Sequence, residues 1–495
     1  MSAHISPTPP APIRLVIISI GMLLLLAALD QTIVSTALPT IVADLGGLDH
    51  LSWVVTAYVL TSTVVAPLYG KLGDLYGRRT MVFVSVSLFL LGSALCGIAG
   101  SMSFLIFARA VQGLGGGGLF VLALSVVGDV IAPRDRGKVQ GVFAAVFATS
   151  SVVGPLVGGG FVQYLNWHWI FFINIPLGLI AVGIFAISFK AQANRVRHKI
   201  DYAGAVALTL GLGALTLVSS LGGRSIGWGS PEAFGLIALS VLSLLGFVWI
   251  EARAEEPILP LSLFKLNVFW VTCVIGFVAG VALFGAITFV PLYLQIAKAT
   301  TPTQSGLLLV PMTLGIVLTS TLSGRYMGQT GRYLLLPKLG MALLFAGMMS
   351  LSFMTQHSNM VVFTLALALV GLGMGCIFPV VTTAVQNAVP RESLGTATAA
   401  GIMVRQTGGS LGVAAFGTLF AARMSQGLPL GEGGNIGPQT LARLSPEQQA
   451  NLAETVVQAI HPIYLIAAAL AAVGLIFAFF LEEVPLSNRQ VPRGE

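Results

Sequence analysis

Charge is what this chain has little of. Only 9% of its 495 residues are Asp, Glu, Lys or Arg, against roughly 25% in a soluble domain. That is too little to cover a water-facing surface, and a soluble fold is excluded. Cysteine is equally scarce. Cys96, Cys273 and Cys376 sit in apolar stretches with no CxxC spacing, so neither a disulfide framework nor a metal site is indicated. Among the six histidines no pair has metal-ligand spacing. His4, His50, His198, His357 and His461 fall in loops or at helix ends, and His168 sits in an aromatic interface belt. The GxxxxGK[ST] phosphate loop is missing, which argues against ATP-driven pumping by this chain. No nucleophile–base cluster suggests an enzyme. The net charge of +7 is spread over short loops, so nucleic acid is not an expected partner.

What is present is apolar: 56% of residues are hydrophobic and 58 are glycine. Lipid is the surrounding that fits, and glycine lets membrane helices approach closely. A span needs about 20 mostly apolar residues. The pattern predicts fourteen: 14–38, 51–70, 80–100, 103–130, 138–161, 170–189, 202–221, 233–250, 268–293, 304–326, 334–354, 359–386, 396–421 and 459–481. The first run reaches about Pro39, too long for a signal-peptide core and without an obvious cleavage site. An even count puts both termini on one side. Of the 25 Lys and Arg, 19 fall on that side, 4 on the other, and Arg109 and Arg405 inside spans. By the positive-inside rule both termini are expected in the cytoplasm.

The chain also repeats itself. Gly70-Lys71 and Gly77-Arg78 recur 254 residues on as Gly324-Arg325 and Gly331-Arg332. Ala132-Pro133-Arg134-Asp135 recurs as Val389-Pro390-Arg391-Glu392, and Leu114-Gly115-Gly116-Gly117 as Leu372-Gly373-Met374-Gly375. Three matches in one order at nearly one offset predict two homologous halves. The expected organisation is a tail at 1–13, a six-helix bundle at 14–189, a linker with two inserted helices at 190–267, a second six-helix bundle at 268–481 and a tail at 482–495. Two related bundles with a site between them is transporter architecture. Within 422–458, on the outer side, Gly427 to Gly437 reads as loop, and Ser445-Pro446-Glu447-Gln448 as the start of a short surface helix.

Acids inside a bilayer are expensive, about 2.5–3.5 kcal/mol on insertion scales. Asp30 is the embedded one, within Leu24 to Thr32. It lies about 12 Å from the outer end of the first span, and Arg109 about 9 Å into the fourth from the same side. The shared depth allows a proton-coupling pair, since burial favours a neutral carboxyl and a nearby cation a charged one. It equally allows a fixed structural ion pair. Asp30 could also attract a cationic substrate. Arg405, about 15 Å deep, has no acid at a matching depth. It either lines a cavity and meets an anionic group or bonds backbone carbonyls. Pro155 bends the fifth span, and Gly154 with Gly158 forms a small-xxx-small packing face. In the segment Gly70 to Arg79 the glycines allow a tight turn. Asp74 could pair with Arg78 or sit at a helix N-terminus. Asp129 could also meet Arg78, making a latch between helices, while simple basic anchoring needs no latch.

Gly70 to Arg79 resembles the signature between helices two and three of the major facilitator superfamily. Leu29-Asp30-Gln31-Thr32 through Pro39, Arg109-Ala110-Val111-Gln112-Gly113, and Gly154-Pro155 with Gly158-Gly159 are similar to signatures of its fourteen-helix drug/proton antiporters. Trp167 to Pro176 and Gln406 to Gly412 are also typical. The resemblance spans essentially the whole chain. It implies an all-α integral membrane fold of the major-facilitator type, two six-helix bundles plus two linker helices, and no enzyme. It implies proton-coupled export of drugs, dyes, antiseptics or metabolites by alternating access, with proton transfer at Asp30 and Arg109. Asp30, Gln31, Gln112 and Arg405 are then candidates for the substrate cavity. Gly154, Pro155, Gly158 and Gly159 become the antiporter element, and Gly70, Asp74, Gly77, Arg78, Arg79 and Asp129 the cytoplasmic latch. No cofactor is implied beyond the proton gradient. The implied setting is a bacterial inner membrane, with small molecules and protons as partners. The protein would act as a monomer, sometimes with a periplasmic adaptor and an outer-membrane channel. Leu75 and His168 stand where the family usually has basic residues. A proton-coupled importer or a siderophore exporter is the runner-up on the same fold. A receptor or scaffold would leave Asp30 and Arg109 unexplained.

Overall fold

In hydrocarbon every backbone N–H and C=O must find a partner within the chain, and apolar runs of this length do so as helices. The computed structural model describes residues 13–46, 51–189, 201–222, 226–227, 230–300, 302–427 and 446–486. Its helices are α1 (Ile13–Leu45), α2 (Leu51–Tyr76), α3 (Arg78–Gly97), α4 (Met102–Val130), α5 (Pro133–Tyr164), α6 (Trp169–Phe172), α7 (Asn174–Ser188), α8 (Tyr202–Leu221) and α9 (Pro231–Glu251). They continue as α10 (Asn267–Ala297), α11 (Pro302–Leu307), α12 (Val310–Thr330), α13 (Leu335–Ser352), α14 (Met360–Ala388), α15 (Leu394–Gly427) and α16 (Pro446–Phe479). Among the described residues, thirteen stretches are long and apolar enough to cross a membrane, with α6 and α7 together making one of them. The fourteenth predicted span is α15, 34 residues long. Its glycines, threonines, Arg405 and Gln406 lower its hydropathy, and it packs against α2, α10 and α14.

Three local expectations change. Residues 70–76 are helical rather than loop, because Lys71, Leu72 and Leu75 are good helix formers. Only Gly77, at φ 89°, makes the turn, as Gly331 does at φ 70° in the second copy of the motif. The short outer helix is not separate. No Gly or Pro interrupts 447–461, so the helix that starts at Pro446 runs unbroken through the last span. The expected cap Ser445 and most of the glycine-rich segment lie outside the described residues. Finally, residues 482–486 do not trail free: the Tyr333 hydroxyl donates to Glu482 O (3.1 Å) and accepts from Val484 N (3.0 Å), and Leu486 N donates to Gly331 O (3.0 Å).

The offset of 258 residues is visible in the packing. A Cβ added at Gly117 of α4 would lie 2.2 Å from Ser62 O of α2, and one at Gly375 of α14 would lie 2.4 Å from Ile316 O of α12. Likewise Gly115 meets Phe89 N of α3 at 2.2 Å, and Gly373 meets Gly340 O of α13 at 2.6 Å. The same glycines therefore seat the same helix pairs in both copies. Replacing Gly117 or Gly375 by Val is expected to lower stability by about 1–3 kcal/mol, because the obstructing atoms are backbone and cannot step aside. Melting midpoints in detergent should fall for both. An unchanged midpoint for either would show that this helix contact is looser than described.

One apolar core joins α10, α12, α13, α14 and α16. Two others fill α1 to α7. The α8–α9 pair is pinned by Ser240 Oγ donating to Gly211 O (2.9 Å), and it lies against α2 and α15. At the end carrying the basic loops, the turn after α9 is capped by Glu251, whose carboxylate accepts from Ile258 N and Leu259 N (3.1 and 3.2 Å).

Candidate functional site

Two glycines decide how closely helices can approach the middle of α4. A Cβ on Gly92 of α3 would lie 2.3 Å from Gln112 Cα, and one on Gly113 would lie 2.5 Å from Tyr58 O of α2. The Thr61 hydroxyl ties α2 to α4 by donating to Ala110 O (2.9 Å). Between these close contacts sits a polar cluster fed by five helices.

Asp30 of α1 and Arg109 of α4 meet at its centre, with Arg109 Nη1 donating to Asp30 Oδ2 at 2.6 Å. The same Nη1 lies 2.6 Å from Gln112 Oε1, and Arg109 Nε donates to Val54 O (3.1 Å). Asp30 Oδ1 accepts from Gln112 Nε2 (2.7 Å) and from Asn174 Nδ2 of α7 (3.0 Å). Ser93 Oγ of α3 accepts from both of those amides (2.8 and 3.3 Å). The Tyr58 ring covers the guanidinium, 4.4 Å from Arg109 Cζ. Asp30 and Gln112 are fully buried and Arg109 is 1% exposed. In this conformation Asp30 and Gln112 are therefore sealed inside the first bundle rather than set in a cavity wall. Gln31, the next residue along, is exposed, and its side chain lies near that of Tyr58. Tyr58, 2% exposed, thus packs on the ion pair close to Gln31.

Asn174, Ser93 and Tyr58 were not singled out in the sequence. Asn174 carried a usable signal, an amide inside Phe171-Phe172-Ile173-Asn174-Ile175. Its Oδ1 is buried with no donor.

The Gly154–Gly159 segment of α5 lies beside this cluster. A Cβ at Gly154 would meet Thr32 Oγ1 at 2.1 Å, and one at Gly158 would meet Ile33 O at 3.1 Å. The Thr32 hydroxyl bridges back by donating to Ser150 O (3.2 Å). So α5 is held against α1 two residues from Asp30. Pro155 lies within α5 without ending it. A Cβ at Gly159 would meet nothing within 4 Å.

At the basic end, Asp74 does both things the sequence allowed. It pairs with Arg78, and it caps the start of α15 by accepting from Gly395 N (3.0 Å), Thr396 N (2.7 Å) and Thr396 Oγ1 (2.9 Å). Arg78 Nε reaches Asp129 Oδ2 at 3.2 Å. Arg79 stands apart, donating to Ala186 O of α7 (3.0 Å). A second bridge was not foreseen: Arg136 Nη1 donates to Gln386 O (3.2 Å), and Gln386 Nε2 donates to Leu124 O (3.0 Å). Here too the halves touch through glycine. A Cβ at Gly70 would lie 2.4 Å from Ala399 Cβ, and one at Gly324 would lie 2.2 Å from Gly137 O. The two halves are closed against each other at this end.

Arg405 is partly buried and sits apart from both clusters, in a small cavity between α10, α14 and α15. It does not meet Asp30.

The sequence matches the Major Facilitator Superfamily model over residues 20–413. It is 35% identical over 500 residues to the multidrug transporter protein MdtP of Bacillus subtilis, covering 94% of this chain and 92% of that one. It is 39% identical over 487 residues to an uncharacterized MFS-type transporter of Mycobacterium tuberculosis, covering 97% of this chain and 71% of that one. Among solved structures, the human organic anion transporter MFSD10 aligns with a TM-score of 0.64 at 14% identity, over 93% of this chain and 99% of that one. The proton:xylose symporter XylE aligns at 0.63 and 13%, over 95% and 96%. At those identities the likeness speaks for the fold alone.

Proposed function

The chain belongs to the major facilitator superfamily, and from that premise we propose that it exports amphiphilic small molecules across the bacterial inner membrane in exchange for protons. That it is a transporter of the multidrug-efflux type rather than an enzyme follows from its relatives. The exchange is our reading, and the enclosed Asp30–Arg109 pair is the observation that carries it. An ion pair buried this deeply brings little net stability, and intramembrane charges are functional by default.

The surroundings suit both protonation states. As a carboxylate, Asp30 accepts from Arg109, Gln112 and Asn174. As a carboxylic acid it needs an acceptor. Rotation of the Asn174 amide would present Oδ1, which has no donor here. Proton entry then requires a path past Tyr58, which covers Arg109, toward the exposed Gln31. With the basic end assigned to the cytoplasm, the closed contacts at Asp74, Gln386 and Gly324 are those of a state shut toward the cytoplasm. Breaking them gives the inward-facing state that loads cargo. The proton gradient supplies the energy, and the chain works as a monomer.

The test uses the purified full-length chain in liposomes with an imposed pH gradient and a panel of cationic, anionic and neutral amphiphiles. Proton flux should follow the movement of at least one compound, in the opposite direction. Co-directional flux would make the protein an importer instead.

A further inference from the structure

We propose that Arg405 is the anion subsite of the cargo cavity and that the exported compound carries an aromatic body and an acidic group; this rests on the export reading above. Among the described residues Arg405 makes no ion pair and no side-chain hydrogen bond. Its guanidinium lies over two aromatic rings, Phe378 of α14 at 4.9 Å and Phe120 of α4 at 5.8 Å from Cζ. One ring belongs to each half of the molecule.

The other charges near the membrane interior are spoken for. Arg109 is matched by Asp30, and Arg78 by Asp74 and Asp129. Arg405 is left as a positive charge without a counter-charge, in surroundings where an unpaired charge is expensive. A guanidinium fork accepts a carboxylate in two parallel hydrogen bonds. The flanking rings offer an apolar slot for a flat body, and a cation would be repelled.

The cavity at Arg405 is lined also by Gly276, Phe378, Thr382, Thr398 and Gly401, and its volume is about 20 Å³. That is room for roughly one water molecule. Phe378 is part of the cavity wall, and Phe120 reaches the same guanidinium from the other half. The same separation that breaks the Asp74–Thr396 contacts, one to nine residues earlier on α15 than the groups lining this space, would draw Phe120 away from Arg405 and admit a larger ligand. Arg405 is nine residues beyond Thr396, hence about 13 Å further into the membrane. A compound arriving from the basic end would meet it as the floor opens.

The experiment measures equilibrium binding to the full-length protein in detergent by fluorescence. The probes are 1-pyrenebutyrate, its N-methylamide, and a pyrenylbutyl trimethylammonium of equal length. The acid should bind at least about tenfold tighter than the amide, with the ammonium weakest. In Arg405→Gln the acid-to-amide ratio should collapse to within about twofold, while Arg405→Lys should retain part of it. Equal binding of acid and amide by the unaltered protein overturns the proposal without needing any variant. So does a ratio that survives Arg405→Gln. Binding of chloride or inorganic phosphate tighter than that of the pyrene acid also overturns it, in favour of an inorganic anion. If pH-driven export of the amide or ammonium occurs with no preference for the acid, the export reading stands and this inference falls. If no compound is exported but the acid binds through Arg405, the reverse holds.

Discussion

Replacing Asp30 by Asn should erase uphill export while leaving the protein folded in the membrane. For a one-proton exchange, a gradient of one pH unit is worth about 1.4 kcal/mol, which can sustain roughly tenfold accumulation. With Asn at this position the ratio should fall to about one whatever the gradient. The fold should survive because the change is isosteric and the neighbours can adapt. Arg109 keeps Val54 O and Gln112 Oε1 as acceptors. The new amide can turn its oxygen to Arg109 and its nitrogen to Asn174 Oδ1, which has no donor in this structure. Removing Arg109 instead would strand a buried carboxylate, a change typically worth 3–5 kcal/mol when one partner of a buried pair is lost. For that reason Asp30→Asn is the cleaner probe. Accumulation undiminished in that variant, at normal yield in the membrane, would mean that another group carries the coupling proton.

The sequence made the helices legible because a membrane span leaves two plain marks, apolar length and the sidedness of Lys and Arg. The repeats at offsets near 256 were equally legible, and Gly117 with Gly375 shows why: each lets an equivalent helix come within backbone contact. Asp30 and Arg109 stood out because charge in hydrocarbon is rare. What surrounds them did not. Asn174, Ser93 and Tyr58 come from three other helices, and nothing in their spacing states that those helices converge. The Arg136–Gln386 bridge was hidden for the same reason, since its partners are 250 residues apart. Gly70 was misread as a turn glycine because a close helix contact and a turn call for the same residue. Only the structure separates Gly70, packed on Ala399, from Gly77, which has positive φ.

That packing role leads to the other large effect. Gly324 of α12 faces Gly137 of α5 across the boundary between the halves. A Cβ there would lie 2.2 Å from Gly137 O and 2.7 Å from Lys138 N, atoms with no freedom to rotate away. Gly324→Val therefore acts as a wedge on the closed basic end alone. Overpacking of this kind is worth about 1–3 kcal/mol, and a bias of that size changes the ratio of two conformations by roughly 5- to 150-fold. The state open at the basic end should become the major one, and turnover should drop because the return to the closed state is disfavoured. Spin labels placed on the basic-end segments of α5 and α12 should report a longer distance in the variant than in the parent. Gly183 of α7 is the control, since a Cβ there meets nothing within 4 Å. Gly183→Val should leave both the distance and the transport rate alone. If the Gly324→Val protein instead shows the parent distance and merely melts earlier, the contact is a packing detail within one state, and the two halves do not separate along this seam.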